Sequence, residues 1–377
     1  MKIIHIITGL STGGAERALY NLLQGGLNTE FDSYVISLSS KGTMGAKIEA
    51  LGVPVMTLDM PQGQPNLRGI VKLRQFIKQL QPDLIQGWMY HGNLAATLAR
   101  LFSRKKTALV WNVRQSLYHI EDEKWLTQLV IKANRFFSGA VDTLLYNSQI
   151  SRTQHEAFGF ASNNGLVIPN GINCQQFSFS EETHQRIRSK LAIPINALVI
   201  GHVARFHPMK DHANFLRAAV DIAEKYPNTY FLLSGLEVCL ANTEMTQYIP
   251  SSVQNRFHFL GERADVADLM SSMDILCSSS KGEAFPNVLG EAMAVGVPCV
   301  ATDVGDSALI IADCGVVVPS KDKASLVAGV ESLLSLSYIE RAKLGVQARQ
   351  RIEDNFKLSV IVGKYAKLYG ELRRRVC

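Results

Sequence analysis

Short β-branched runs alternate with longer amphipathic segments along this chain. Lys2–Thr8 is apolar on successive positions, which predicts a strand covered on both faces. Ala15–Gln24 carries helical spacing, Ser33–Leu38 and Val53–Leu58 read as strands, and Gly45–Leu51 as a short helix between them. Arg68–Leu80 puts Ile70, Leu73, Ile77 and Leu80 on one helical face, and Pro82 stops it. Strands at Asp83–Gln86, Ala108–Val113, Asp142–Tyr146 and Gly165–Ile168 alternate with helices at Asn93–Leu101, Lys124–Phe137 and Ser148–Phe158. Pro169-Asn170-Gly171 is a turn signal, and residues 172–196 are polar without a strand pattern. The order then restarts with strand Ala197–Val203, helix Ala213–Lys225 and strand Thr229–Ser234. Further strands follow at Arg256–Leu260, Ile275–Ser278, Cys299–Thr302 and Gly315–Val318. Repeated strand–helix–strand order implies an α/β fold with parallel sheets. The expectation is two Rossmann-like domains, 1–171 and 172–355, with a last helical stretch at 356–377 that packs back on the first. Ligands of such sheets collect at the carboxyl ends of the strands, so two domains would share one site in a cleft between them.

Length and composition fit this picture. The chain has 377 residues, 47% hydrophobic and 19% charged, enough for two cores and too apolar for disorder. No apolar run reaches the about 18 residues of a membrane span, and Ile3 to Ile7 is too short for a secretory h-region. The expectation is a cytoplasmic protein. Its six cysteines lack C-x-x-C spacing and neighbouring histidines, so neither zinc nor a dithiol centre is indicated. The net charge of +6 lies in the first half: residues 1–180 hold 17 Lys and Arg against 11 Asp and Glu, residues 181–377 hold 22 against 22. The surplus is a set of solvated helix faces or a surface for something anionic, such as lipid headgroups. No signature of nucleic-acid binding accompanies it.

Three motifs follow strands. Gly9-Leu10-Ser11-Thr12-Gly13-Gly14-Ala15-Glu16 follows the first; its glycines permit close backbone approach, and the next helix offers free N–H groups. It is neither a dinucleotide fingerprint nor a Walker loop, and a plain tight turn is its alternative. Gly201 to Asp211 follows the first strand of the second domain and carries Arg205 and Lys210, a pair suited to a diphosphate or simply two exposed cations. Ser280 to Ala294 holds Glu283 and Glu291 eight positions apart, with Ala284, Phe285, Pro286 and Asn287 leading into a helix. Carboxylates near phosphates favour hydroxyls, so Glu291 suits a ribose and Glu283 a sugar; complementing the helix dipole is the plainer reading.

With Asn147-Ser148, Val167-Ile168-Pro169-Asn170-Gly171 and Gly296 to Asp303, these motifs resemble the GT-B retaining glycosyltransferases of the family 4 type (glycosyl transferases group 1). The resemblance spans nearly the whole chain. It implies that Arg205 and Lys210 bind the diphosphate of a nucleotide-sugar donor. Glu283 would contact the sugar and Glu291 the ribose, with Gly282 to Asn287 along both. Gly13 and Gly14 would approach phosphate or acceptor. The loop at Gly235 is expected beside the nucleoside. The family often has Glu-Gly-Phe-Pro where this chain has Glu283-Ala284-Phe285-Pro286. Its usual histidine after the Ala108–Val113 strand is replaced by Arg114 or Gln115, with His119 and His91 as other candidates for the first-domain catalytic group. A lone histidine is as readily structural.

The resemblance implies metal-independent, retaining transfer of the sugar to a glycan hydroxyl, with no cofactor beyond the donor; no D-x-D occurs. A lipid-linked or oligosaccharide acceptor, in lipopolysaccharide, O-antigen or exopolysaccharide assembly, is the implied setting. Peripheral contact with an anionic inner membrane would follow. An epimerase or sugar-phosphate synthase on the same fold and a silent sugar-binding scaffold are the alternatives.

Overall fold

A computed structural model describes residues 1–11, 13–61, 66–118 and 120–376. Its contacts divide the chain into two units, Met1–Gly171 with Leu358–Cys377, and Ile172–Lys357.

The first unit runs β1 (Lys2–Ile7), α1 (Gly14–Leu22), α2 (Asn28–Glu30), β2 (Asp32–Ser37), α3 (Gly42–Glu49), β3 (Val55–Thr57), α4 (Leu67–Leu80), β4 (Leu84–Trp88), α5 (Met89–Phe102), β5 (Ala108–Val113), α6 (Trp125–Phe137), β6 (Thr143–Tyr146), α7 (Gln149–Phe158) and β7 (Gly165–Val167). All strands are parallel, in the order β3-β2-β1-β4-β5-β6-β7. The chain winds one way from β1 to β3 and the other way from β4 to β7. The crevice between β1 and β4 is therefore the switch point. Right-handed crossovers place α4, α5 and α6 side by side on one face and α1 and α3 on the other.

Local chemistry sets the ends. The Asn66 side chain accepts from Gly69 N at 2.8 Å to start α4, and Gln81 in the left-handed region ends it before Pro82. Ser148 caps α7, and Gly159 closes it with φ 104°. Helix α5 begins at Met89, directly on β4, earlier than the periodicity indicates. Glycines make that junction possible: a Cβ at Gly92 would stand 2.6 Å from Ile6 O, and one at Gly87 2.5 Å from Asn93 Cα.

The second unit runs α8 (Glu181–Lys190), β8 (Leu198–Val203), α9 (His212–Lys225), β9 (Thr229–Ser234), α10 (Thr243–Thr246), β10 (Phe257–Phe259), α11 (Val266–Ser271), β11 (Ile275–Ser278), α12 (Asn287–Val295), β12 (Cys299–Thr302), α13 (Ser307–Ile311), β13 (Gly315–Val318), α14 (Lys323–Leu334) and α15 (Tyr338–Asn355). Its parallel sheet has the order β10-β9-β8-β11-β12-β13, with the switch between β8 and β11. The polar stretch 172–196 contains α8, capped by Ser180 and pinned by buried Arg188, which pairs with Asp274 at 2.6 Å.

Helix α16 (Leu358–Val376) returns to the first unit. It buries Ile361, Tyr365, Tyr369 and Leu372 in that unit's core. Gly171 and Gly25 let it approach, since a Cβ at either would meet Leu358 within 3 Å. Tyr369 OH donates to Gln86 Oε1, and Asn112 Nδ2 donates to Tyr365 OH at 3.0 Å. No described helix is long and apolar enough to cross a membrane.

Candidate active site

In the second unit the switch point brings two loops together. One follows β8 and spans Ala204 to Asp211; the other follows β11 and spans Ser279 to Pro286. Ser279 Oγ donates to the carbonyls of Lys210 and Asp211 at 2.9 and 3.0 Å. Lys281 N donates to Met209 O at 2.7 Å, and Lys281 Nζ pairs with Asp211 at 3.1 Å. These bonds fix one loop on the other, and across them Lys210 Nζ meets Glu283 Oε1 at 2.5 Å. Ser280 Oγ donates to the same oxygen at 2.7 Å. The pair sits largely out of water, with Lys210 25% and Glu283 13% exposed.

Further loops support these two. A Cβ on Gly235 would lie 2.1 Å from Ala204 O and 2.8 Å from Arg205 N, so only glycine lets the loop after β9 pack against the Arg205 turn. Gly305, after β12, has φ 58°, and its Cβ would lie 2.6 Å from Ala284 O and 2.7 Å from Glu283 O. Asp306 N donates to Ala284 O at 3.0 Å, and Thr302 Oγ1 to Ser280 O at 2.6 Å. Phe285 is buried beside Phe356, Pro286 takes the cap position, and α12 starts at Asn287. Glu291 is half-buried on the second turn of α12.

Arg205 is exposed and makes no ion pair among the described residues. His212 Nε2 lies 3.3 Å from the neighbouring Ala204 O, and its ring centroid is 4.8 Å from that of His202, which stacks on Phe215. Burial pushes His202 down to about 3 and His212 to about 4, so both are neutral near pH 7. The positive charge of this crevice therefore comes from Arg205, Lys210 and Lys281. No group of three or more His, Cys, Asp or Glu placed to hold a metal occurs among the described residues.

The remaining candidates lie in the first unit. Gly13 caps α1, where a Cβ would strike the Glu16 carboxylate at 2.3 Å; a Cβ at Gly14 would meet nothing within 4 Å. Burial raises the Glu16 pKa. His91 sits in the first turn of α5, and burial lowers its pKa. Arg114, just past β5, stacks over Trp88 at 5.4 Å and donates to neutral groups: Asn112 at 3.5 Å, Tyr365 at 3.4 Å and Asn170. This ties the end of β5 to α16. His119 lies outside the described residues.

The motifs after β8 and β11 thus converge on one crevice within the second unit. Ser279, Ser280, Thr302, Gly305 and Asp306 hold it; Ser280 and Thr302 fall inside the stretches read from sequence without a role assigned to them, and the other three lie outside those stretches. Of the three outside, Gly305 leaves a trace, standing in Val304-Gly305-Asp306 just after a strand.

Two Rossmann-like units, one with cations and a carboxylate at its switch point, define the GT-B class. Residues 12–176 match the Glycosyltransferase Family 4 model and residues 197–336 the Glycosyl transferases group 1 model. The chain belongs to these GT-B glycosyltransferase families. It is 24% identical over 321 residues to the provisionally named glycosyltransferase EpsF of Bacillus subtilis, covering 80% of this chain and 79% of that one. Over 147 residues it is 25% identical to the Escherichia coli UDP-Gal:alpha-D-GlcNAc-diphosphoundecaprenol alpha-1,3-galactosyltransferase, 38% of each chain. In structure it is similar to Anabaena HepE, solved with UDP, at TM-score 0.84 and 22% identity over 98% of this chain and 100% of that one; HepE was also solved with UDP-glucose.

Proposed function

We propose that this glycosyltransferase moves a sugar, with retention, from a nucleoside diphosphate sugar to a hydroxyl of a lipid-linked glycan in bacterial cell-surface polysaccharide assembly. The Lys210–Glu283 pair, joined across the β8/β11 crevice beside Arg205, carries this reading. Breaking the bond between sugar and diphosphate puts negative charge on the leaving group and positive charge on the sugar. Arg205, Lys210 and the N–H groups opening α12 stabilise the first. Glu283 accepts from sugar hydroxyls and lies where it offsets the second; Glu291 accepts from the ribose. The leaving diphosphate takes the acceptor proton on the face it departs from, so configuration is kept. Metal ions are not needed for this charge balance.

The UDP and UDP-glucose complexes of HepE support a uridine nucleotide as donor, and the galactosyltransferase acting on a diphosphoundecaprenol-linked sugar supports a lipid-linked acceptor at the inner membrane. The first unit, with Gly13, Gly14, His91 and Arg114 at its strand ends, receives the acceptor. A thermal-shift screen of UDP, GDP and ADP tests the donor site. One of them should raise the melting temperature, because a ligand bound only by the folded state stabilises it. Arg205→Ala should abolish the shift. Indifference to all three would overturn the reading.

A further inference from the structure

Helices α4, α5 and α6 cover one face of the first sheet, and together they contain seven Lys or Arg and no Asp or Glu. The outermost of them, α6, turns an apolar stripe outward: Trp125, Leu129 and Phe136 are 68%, 52% and 81% exposed. Their spacing follows one helical face and runs about 16 Å. Phe137 and Leu101, also exposed, extend the stripe where Arg100 donates to Ala140 O at 2.8 Å. Lys132 and Arg135 flank it, and Arg74 and Lys78 stand exposed on α4. Of the acids bordering this layer, Asp59 pairs with Lys72, Asp83 with Lys105, Asp142 with Arg100 and Glu156 with Arg152, and Glu123 accepts from Gln115; Asp122 precedes α6 in sequence. Glu121 lies on the turn before α6.

We propose that this face lies on an anionic lipid bilayer, with Trp125, Leu129 and Phe136 in the headgroup boundary and the cations of α4 and α6 on the lipid phosphates. Aromatic and aliphatic groups flanked by cations match that interface in both polarity and sign. A second copy of the chain fits poorly, since a symmetric contact would set the same cations against each other. The inference deepens the membrane contact proposed above. Its test contains neither sugar donor nor acceptor, so its failure leaves the transfer reading standing.

Trp88 and Trp111 are fully buried, so an emission change on adding vesicles reports Trp125. Full-length protein is titrated with phosphatidylcholine vesicles and with mixed phosphatidylcholine–phosphatidylglycerol vesicles, at low and high salt. The expected result is a blue shift with the anionic vesicles, quenching by brominated lipid, and loss in high salt. Replacing Lys78, Lys132 and Arg135 together by Gln should weaken binding about a hundredfold, at roughly fivefold per cation. Leu129→Ser with Phe136→Ser should abolish it. Both variants should keep the wild-type near-UV circular dichroism and melting temperature without any ligand, which shows that they fold. Unchanged Trp125 emission, equal binding to neutral and anionic vesicles, or a dimer that the Leu129→Ser/Phe136→Ser variant dissociates would each overturn the proposal.

Discussion

Before any ligand arrives, Lys210 is already neutralised by Glu283 at 2.5 Å. A diphosphate must therefore share that cation with a carboxylate. Replacing Glu283 by Gln removes the competitor but keeps an acceptor for Ser280. For a phosphate about 7 Å from the carboxylate, the repulsion removed is about 0.6 to 2.4 kcal/mol as the effective dielectric falls from about 80 to 20. Glu283→Gln should thus bind nucleoside diphosphate roughly three- to sixtyfold more tightly, yet transfer sugar more slowly because the sugar loses its anionic partner. Lys210→Met keeps the aliphatic stem and deletes the charge. It should weaken nucleotide binding and lower kcat about 10²- to 10³-fold, as removal of a transition-state charge partner does. It also leaves Glu283 only partly compensated, at a cost of about 1–3 kcal/mol. Calorimetric titration of each variant with the selected nucleotide, alongside single-turnover transfer, reads both quantities. The opposite signs in affinity are the decisive feature. If Lys210→Met leaves affinity unchanged, Lys210 does not face the diphosphate; if Glu283→Gln weakens binding or leaves it unchanged, the carboxylate does not compete with the diphosphate for that cation.

Gly235→Ala should push the Arg205 turn aside and reduce nucleotide affinity at least tenfold, with unfolding in urea showing a loss of about 1–3 kcal/mol; wild-type affinity would contradict the contact at 2.1 Å. Tyr369→Phe should cost about 1–3 kcal/mol, because the buried Gln86 oxygen loses its donor; thermal unfolding measures it. Stability should also fall in mild acid. His5, His155, His202 and His212 are neutral when folded, pushed down to between about 3 and about 4 by burial. The unfolded chain binds their protons below about pH 6.5. Stability is therefore complete above that value and declines by about 1.4 kcal/mol per histidine per pH unit toward pH 4. Equal urea midpoints at pH 7 and pH 5 would count against it.

The strand runs, Arg205, Lys210 and Glu283 are legible in sequence because each cue is local. A β-branched run announces a strand, and a charged loop after it falls at the ligand edge of a parallel sheet. Ser279 is not legible in this way. Its role is a hydroxyl donating to a backbone carbonyl 68 or 69 residues earlier, and such a bond imposes no spacing. Helix α8 is overlooked because only Ile187 and Arg188 of its ten residues are buried, too few to make an apolar stripe. Arg114 shows the limit from the other side. Its position marks it as a candidate for chemistry, while it donates to Asn112 and Asn170 nearby and, once α16 has come back, to Tyr365.

That return sets a schedule for biosynthesis. The first unit leaves the ribosome with Gln86 and Asn112 uncapped and the Leu19–Leu23 side of its sheet unroofed. Ile172 to Lys357 must be made before residues 358–376 can close it. At about 5–20 residues per second this exposes a half-finished sheet for roughly 10 to 40 s. A nascent-chain chaperone, or the second unit folding early, has that long to keep it from aggregating.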